Sequence, residues 1–194
     1  MLPPFWDEIR AHVWFGTSTE DQTEADRRII HLMAVTPRPA VFFLSIEPAL
    51  GPITFRWASW QPIRSKFHTN HLDGLRQLDW IIMGGESGPV ARPMHPEWVR
   101  AIRDQCKEAE VPFLFKQWGA WAPGMWLDNG DTAMFAADDA AITVPDMSDH
   151  DRWQRRVHWF DEAPDGPGAI FLGKHHTGRL LDGAIHNEFP RVSQ

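Results

Sequence analysis

Each of four short apolar runs in this chain ends on polar residues of kinds that bind ligands. Residues 12–16 lead into Gly16-Thr17-Ser18-Thr19-Glu20-Asp21-Gln22, and residues 41–46 into Ser45-Ile46-Glu47-Pro48. Residues 80–83 lead into Gly84-Gly85-Glu86-Ser87-Gly88, and residues 112–115 into Lys116-Gln117-Trp118-Gly119. If the runs are adjacent parallel strands, Glu20, Glu47, Glu86 and Lys116 share one rim, at the strand ends where parallel α/β folds gather ligands. Carboxylates crowded there raise one another's pKa, while Lys116 lowers them. Such a rim suits a polar ligand with an amine or hydroxyls. The competing reading is helix-start and loop capping, because carboxylates favour helix N-termini in any case.

The glycines of Gly84-Gly85-Glu86-Ser87-Gly88 allow positive φ and let backbone amides come close to a ligand. The pattern is neither Gly-x-Gly-x-x-Gly nor a P-loop, so contact to an adenosine or similar ring is expected ahead of a phosphate cradle. A tight structural turn is the alternative. His68-x-x-His71 and His175-His176 have no carboxylate at zinc-site spacing, and no metal site is expected from them. Cys106 is the single cysteine. It excludes an internal disulfide and any thiolate-held cluster built by this chain alone, and it reads as a small buried core residue. No Gly-x-Ser-x-Gly elbow is present.

The elements that must position these residues follow from the hydropathy pattern. The four runs are continuous instead of alternating, as in strands buried on both faces of a parallel sheet. Their spacing fits repeated βα units of about 30 residues or more. Over residues 23–35, Ala25, Ile29, Leu32 and Met33 share one helical face while Asp26, Arg27 and Arg28 face away, and Thr36-Pro37 stops the helix. Over residues 96–110, Val99, Ile102, Cys106 and Ala109 form the stripe, with Pro96 and Glu97 suited to the helix start. The predicted fold class is α/β: a partial parallel (β/α) barrel of about four strands over residues 1–119. Residues 51–78 form an excursion holding Arg56, Trp57, Trp60, Arg64, Lys66, His68 and His71, with one short helix near 71–77. Residues 120–194 read as a loop-rich extension, with a β-hairpin made from 169–172 and 180–183.

Composition narrows the function classes. The net charge is −7, from 26 acidic and 19 basic residues, a field that repels a phosphate backbone. Nonspecific nucleic-acid binding by this chain alone is therefore not expected, although a local basic patch stays open. Eleven Trp and twelve Phe occur without any Tyr. Packing in the core and at interfaces is their simplest use, and stacking surfaces the alternative. No apolar run approaches the ~18 residues of a membrane span, and Met1-Leu2-Pro3-Pro4 does not begin a secretion signal. With one cysteine, the expectation is a cytoplasmic protein with no membrane contact.

The segment Trp14-Phe15-Gly16-Thr17-Ser18-Thr19-Glu20-Asp21-Gln22 resembles a Trp-Leu-Gly-Val-Ser-Val-Glu-Asn-Gln run. That run belongs to a phage-associated, three-Cys-motif, radical-SAM-like family of unknown function. Leu44-Ser45-Ile46-Glu47-Pro48-Ala49-Leu50-Gly51-Pro52 and Asp79-Trp80-Ile81-Ile82-Met83-Gly84-Gly85-Glu86-Ser87-Gly88 follow in the family's order. So do Ala91-Arg92-Pro93-Met94-His95-Pro96-Glu97-Trp98-Val99 and Phe113-Leu114-Phe115-Lys116-Gln117-Trp118-Gly119. Gly178-Arg179-Leu180-Leu181-Asp182-Gly183 and Glu188-Phe189-Pro190 are similar to its closing segment, so the likeness covers about residues 12–119 and 170–190.

The resemblance implies a C-terminal half barrel starting just before the family's fourth barrel strand. Three cysteines in the other half are expected to ligate a [4Fe–4S] cluster and bind S-adenosylmethionine, through the soft thiolates that iron requires. Neither cofactor is expected to be held by this chain alone, and catalysis would need the missing half. In a completed site Ser18 and Glu20 would face the cofactor's ribose or amino-acid part, and Gly84, Gly85 and Glu86 its adenine. Glu47, Lys116 and Trp118 would face the substrate, a nucleotide or nucleic acid, with Glu47 and Lys116 catalytic. An open edge and an inner face that wets Phe42, Leu44 or their neighbours imply a partner: the missing half or a second copy. The alternative is a non-catalytic module that binds a ligand or protein, with Trp57, Trp60 and the tryptophans at 121 and 126 as its surface.

Overall fold

The computed structural model describes residues 2–58, 71–128, 133–137, 140–143, 157–161 and 167–191. Trp60, Arg64, Lys66 and His68 lie outside them, as does the side chain of Trp126. After a short helix α1 (Trp6–Ile9), the apolar runs become β1 (Trp14–Ser18), β2 (Val41–Ile46), β3 (Trp80–Met83) and β4 (Phe113–Phe115). They pair in sequence order, every pair parallel. Helix α2 (Gln22–Met33) connects β1 to β2, and α3 (Pro96–Ala109) connects β3 to β4.

Each helix begins where the residue types dictate. Asp21 accepts the Glu24 amide at 2.8 Å, capping α2 and satisfying a donor that has no partner within the helix. Pro96 occupies the first turn of α3, and His95 Nδ1 accepts the Glu97 amide at 3.0 Å. Both helices bury their stripes on one face of the sheet, where Ile29, Leu32, Ile102 and Cys106 join Phe42, Leu44, Ile81, Met83, Phe113 and Phe115. Strands in sequence order with helices on one face are the arrangement of an arc of a (β/α) barrel.

The other face departs from the sequence expectation. Phe42 and Leu44 do not meet water; both are buried under the helices. Side chains alternate along a strand, so their neighbours take the opposite face, where Val41, Trp80 and Leu114 form a second, smaller buried cluster. Register places Gly16, Phe43 and Trp80 side by side there, with the Phe43 ring lying where a Cβ on Gly16 would sit. Trp14 meets Trp80 edge to face at 5.5 Å and stays 41% exposed.

The C-terminal region carries more regular structure than its composition announces. Strands β5 (Trp121–Asp128), β6 (Ala133–Ala137), β7 (Ala140–Thr143), β8 (Val157–Trp159) and β9 (Pro167–Phe171) form an antiparallel sheet in the order β7-β6-β5-β9-β8. Strands of Ala, Gly and Pro have little hydropathic alternation to reveal them. The expected hairpin of 169–172 with 180–183 does not form. β9 pairs instead with β5 and β8, and Leu181 bridges to Ala184. The short helix expected near 71–77 is a single 3-10 turn, Leu75–Gln77.

The two sheets meet through rings. His95 and Trp98 at the start of α3 pack on Phe160 at 4.5 and 6.3 Å, and His158 packs on the same ring at 5.0 Å. Burial pushes both histidines below the ordinary 6.5; for His95, Glu97 and Asp161 oppose the shift and Arg100 adds to it. A depressed folded-state pKa contributes stability that is present above the unfolded value and lost as pH falls through the folded one. Acidification from about pH 7 to about pH 5 is therefore expected to loosen this junction and reduce the near-ultraviolet dichroism of Trp98 and Trp121. His95→Asn, which keeps a capping acceptor, combined with His158→Gln should flatten that dependence; an unchanged pH profile in the double variant would rule the junction out as its source.

Candidate ligand site at the strand ends

All four strands run the same way, so Glu20, Glu47, Glu86 and Lys116 follow the carboxyl ends of adjacent strands. The centre of the rim is an ion pair across β3: Lys116 Nζ reaches Glu47 Oε1 at 2.8 Å. The two residues follow β4 and β2, the strands on either side of β3, and the residue between them is Gly84. A Cβ there would lie 3.3 Å from Lys116 Cβ and 3.4 Å from Glu47 Oε1, so glycine leaves the gap through which the pair closes. Lys116 is more than half exposed, and the pair opens to solvent.

Glu86 has its own cation. Arg92 donates from Nε to Oε2 at 2.8 Å and from Nη2 to Oε1 at 3.1 Å, and its backbone amide donates to Oε2 at 2.8 Å. These bonds, the side-chain ones first, hold the Glu86 carboxyl below the usual carboxylate range. The upward shift expected from crowded carboxylates is thus reversed at Glu86. Glu20 is held likewise by Arg28 of α2, whose Nη1 lies 3.2 Å from Oε2 and also donates to the Ser18 carbonyl at 2.7 Å. Ser18 is exposed, and its register partner Ser45 is half-buried. The rim therefore offers three acid–base pairs and two hydroxyls.

The structure brings Ser18, Glu20, Glu47, Glu86 and Lys116 to one end of the sheet. It gives the glycines a different use from the amide contact expected of them. Gly84 N–H donates to Ile46 O at 3.0 Å and Gly85 N–H to Gln117 O at 2.7 Å, extending the strand ladder. The Trp118 carbonyl occupies the position of a Cβ on Gly85. Trp118 itself turns away from the rim into the core, packs on Phe115 at 4.8 Å and donates Nε1–H to Leu180 O at 2.7 Å. Sequence reasoning missed Arg28 and Arg92. The available signal was their position, eight residues after Glu20 and six after Glu86, within reach of a chain that turns back at each strand end.

Among the described residues no group of three or more His, Cys, Asp or Glu is placed to hold a metal ion. His71 pairs with Glu108 at 3.0 Å, and His175 and His176 are exposed. Cys106 lies in the core, where burial pushes its thiol far up and away from the thiolate a metal needs. The residues present do not fit an iron–sulfur cluster.

Fold and site together define an α/β protein with a one-sided parallel sheet and a polar, charge-paired rim at its strand ends. The chain belongs to the family of proteins of unknown function DUF5131, whose model matches residues 2–190. No curated protein and no solved structure matches it. The family's description names no chemistry. Among the described residues, no helix is long and apolar enough to cross a membrane.

Proposed function

We propose that this chain is the ligand-binding arc of a radical-SAM-like (β/α) barrel of the phage-associated kind. Its rim takes a zwitterionic, nucleoside-bearing ligand of the S-adenosylmethionine type. The observation that carries the reading is the exposed Glu47–Lys116 pair spanning Gly84. A ligand with both an ammonium and a carboxylate exchanges with such a pair one charge for one, Glu47 turning to the ammonium and Lys116 to the carboxylate. With each glutamate matched by one cation, the rim has no excess positive charge to attract a polyphosphate. Ser18 and Ser45 add hydroxyls for a ribose. Because the cluster does not fit here, the chain is not catalytic alone. The cluster and the remaining arc come from another stretch of polypeptide, which also supplies the groups that meet a nucleotide or nucleic-acid substrate.

Calorimetric titration with S-adenosylmethionine tests this. Glu47→Gln and Lys116→Met are each expected to weaken binding about tenfold or more, on the order of 1.4 kcal/mol. Affinities unchanged within about twofold, or no heat from the wild type at millimolar ligand, overturn the reading.

A second reading, a non-catalytic protein-binding module, draws on the exposed Trp14, which packs on the buried Trp80 at the β1 side of the sheet. Binding of a partner that is lost in Trp14→Ala but kept in Lys116→Met would favour it.

A further inference from the structure

The parallel sheet ends on two edge strands, and they are treated differently. Unpaired edges invite strand addition from another chain. On β1, Val41 N–H donates to Val13 O at 3.4 Å and Thr19 N–H to Ser45 O at 2.9 Å. In a parallel ladder alternate residues turn their peptide groups to the neighbour. Residues 13, 15, 17 and 19 therefore face β2, and the peptide groups of Trp14, Gly16 and Ser18 face outward. Of these, Ser18 O receives Arg28.

On β4 the equivalent groups are spent within the chain. Phe115 N–H donates to His186 O at 3.0 Å, and Glu188 N–H donates to Phe113 O at 3.2 Å. The Glu188 carboxylate accepts the Phe113 amide at 3.1 Å, and Leu114 lies opposite Asn187 in an antiparallel bridge. Both ends of this segment are anchored. Before it, Leu181 is fully buried, and Asp182 receives Arg100 Nε at 2.7 Å together with the Arg103 guanidinium. At its end, Phe189 packs on Trp80 at 5.0 Å, while Trp80 Nε1 donates to Glu188 O at 2.8 Å.

We infer that residues 184–189 are a strap that guards the β4 edge, denying it to strand addition; displaced, they expose β4 to pairing with β4 of a second copy. Two identical edges meeting about a twofold axis pair antiparallel, a closed arrangement that needs no other partner. The inference does not depend on what the rim binds.

Glu188→Pro removes the donor to Phe113 O and the carboxylate that receives the Phe113 amide. Hydrogen exchange read by mass spectrometry should then show the Phe113 and Phe115 amides exchanging about tenfold faster or more. Sedimentation velocity should show the particle mass at least doubled relative to the wild type, reversed by adding a synthetic peptide of residues 184–189. Asp182→Asn, which keeps a residue tolerant of the left-handed backbone there, serves if the proline variant does not fold. Amides that open while the mass stays constant overturn the guarding role, and so do amides that stay protected in both variants.

Discussion

Gly85→Ala is expected to lower folding stability by roughly 3 kcal/mol or more, among the larger effects a single methyl can have. The Cβ would be driven into the Trp118 carbonyl and the adjoining peptide, backbone atoms that have no rotamer to escape into. The crossing is tight from both sides. Gly119 adopts φ +78°, a conformation that costs any other residue, and a Cβ on it would meet Gly85 and the Glu86 carbonyl. Gly84→Ala is the informative contrast. Its nearest contact would be 3.3 Å, to a side-chain carbon, so the fold should tolerate it while the Glu47–Lys116 pair is pushed apart. Urea denaturation distinguishes the two: the midpoint falls steeply for Gly85→Ala and little for Gly84→Ala, with similar slopes. Equal midpoints for wild type and Gly85→Ala would be incompatible with the close crossing of the two strand-end loops.

The second large effect is expected at Gln105, a buried amide on α3 that spends both ends on the chain. Its Oε1 accepts the Phe55 amide at 2.7 Å and the Thr54 hydroxyl at 3.4 Å. Its Nε2 donates to Ile53 O at 3.3 Å and to Ala101 O at 3.0 Å. Gln105→Leu fills similar space but leaves the Phe55 N–H and the Ile53 carbonyl without this partner in an apolar setting. A cost of about 2–4 kcal/mol follows, because each stranded group forfeits its hydration as well as its bond. The rim should feel the loss. The tethered stretch lies a few residues after Glu47, and Leu50 N–H donates to Glu20 O at 2.7 Å, linking that loop to the end of β1. Thermal unfolding and ligand titration on the same variant should therefore both shift. Unchanged stability would mean that residues 53–55 are held by something else.

Much of the scaffold was legible in the residues. Four continuous apolar runs, two amphipathic helices and the helix-start residues Pro96 and Glu97 led to the parallel sheet, because both-sided burial and helix starts leave local marks. The rim glutamates and Lys116 were legible because Glu47 and Lys116 directly follow a run, and Glu20 and Glu86 stand in the short polar stretch after one. Their partners were not. Arg28 reads as a solvated helix residue, and nothing in composition says that its guanidinium turns back to Glu20 and the Ser18 carbonyl.

The sequence by itself determined which four segments of residues 1–119 become strands, that these run parallel, and which ends carry the charged groups. Only the tertiary structure decided which face each strand residue takes, since a run apolar throughout has no period-two signal to separate Phe42 from Phe43. It also decided that Gly85 serves a close crossing of two loops, that Trp118 enters the core, and that residues 184–189 cover β4. Each of these depends on segments distant in the chain meeting in space. The free energy of such a meeting lies in packing and hydrogen-bond satisfaction, which leave little trace in local pattern.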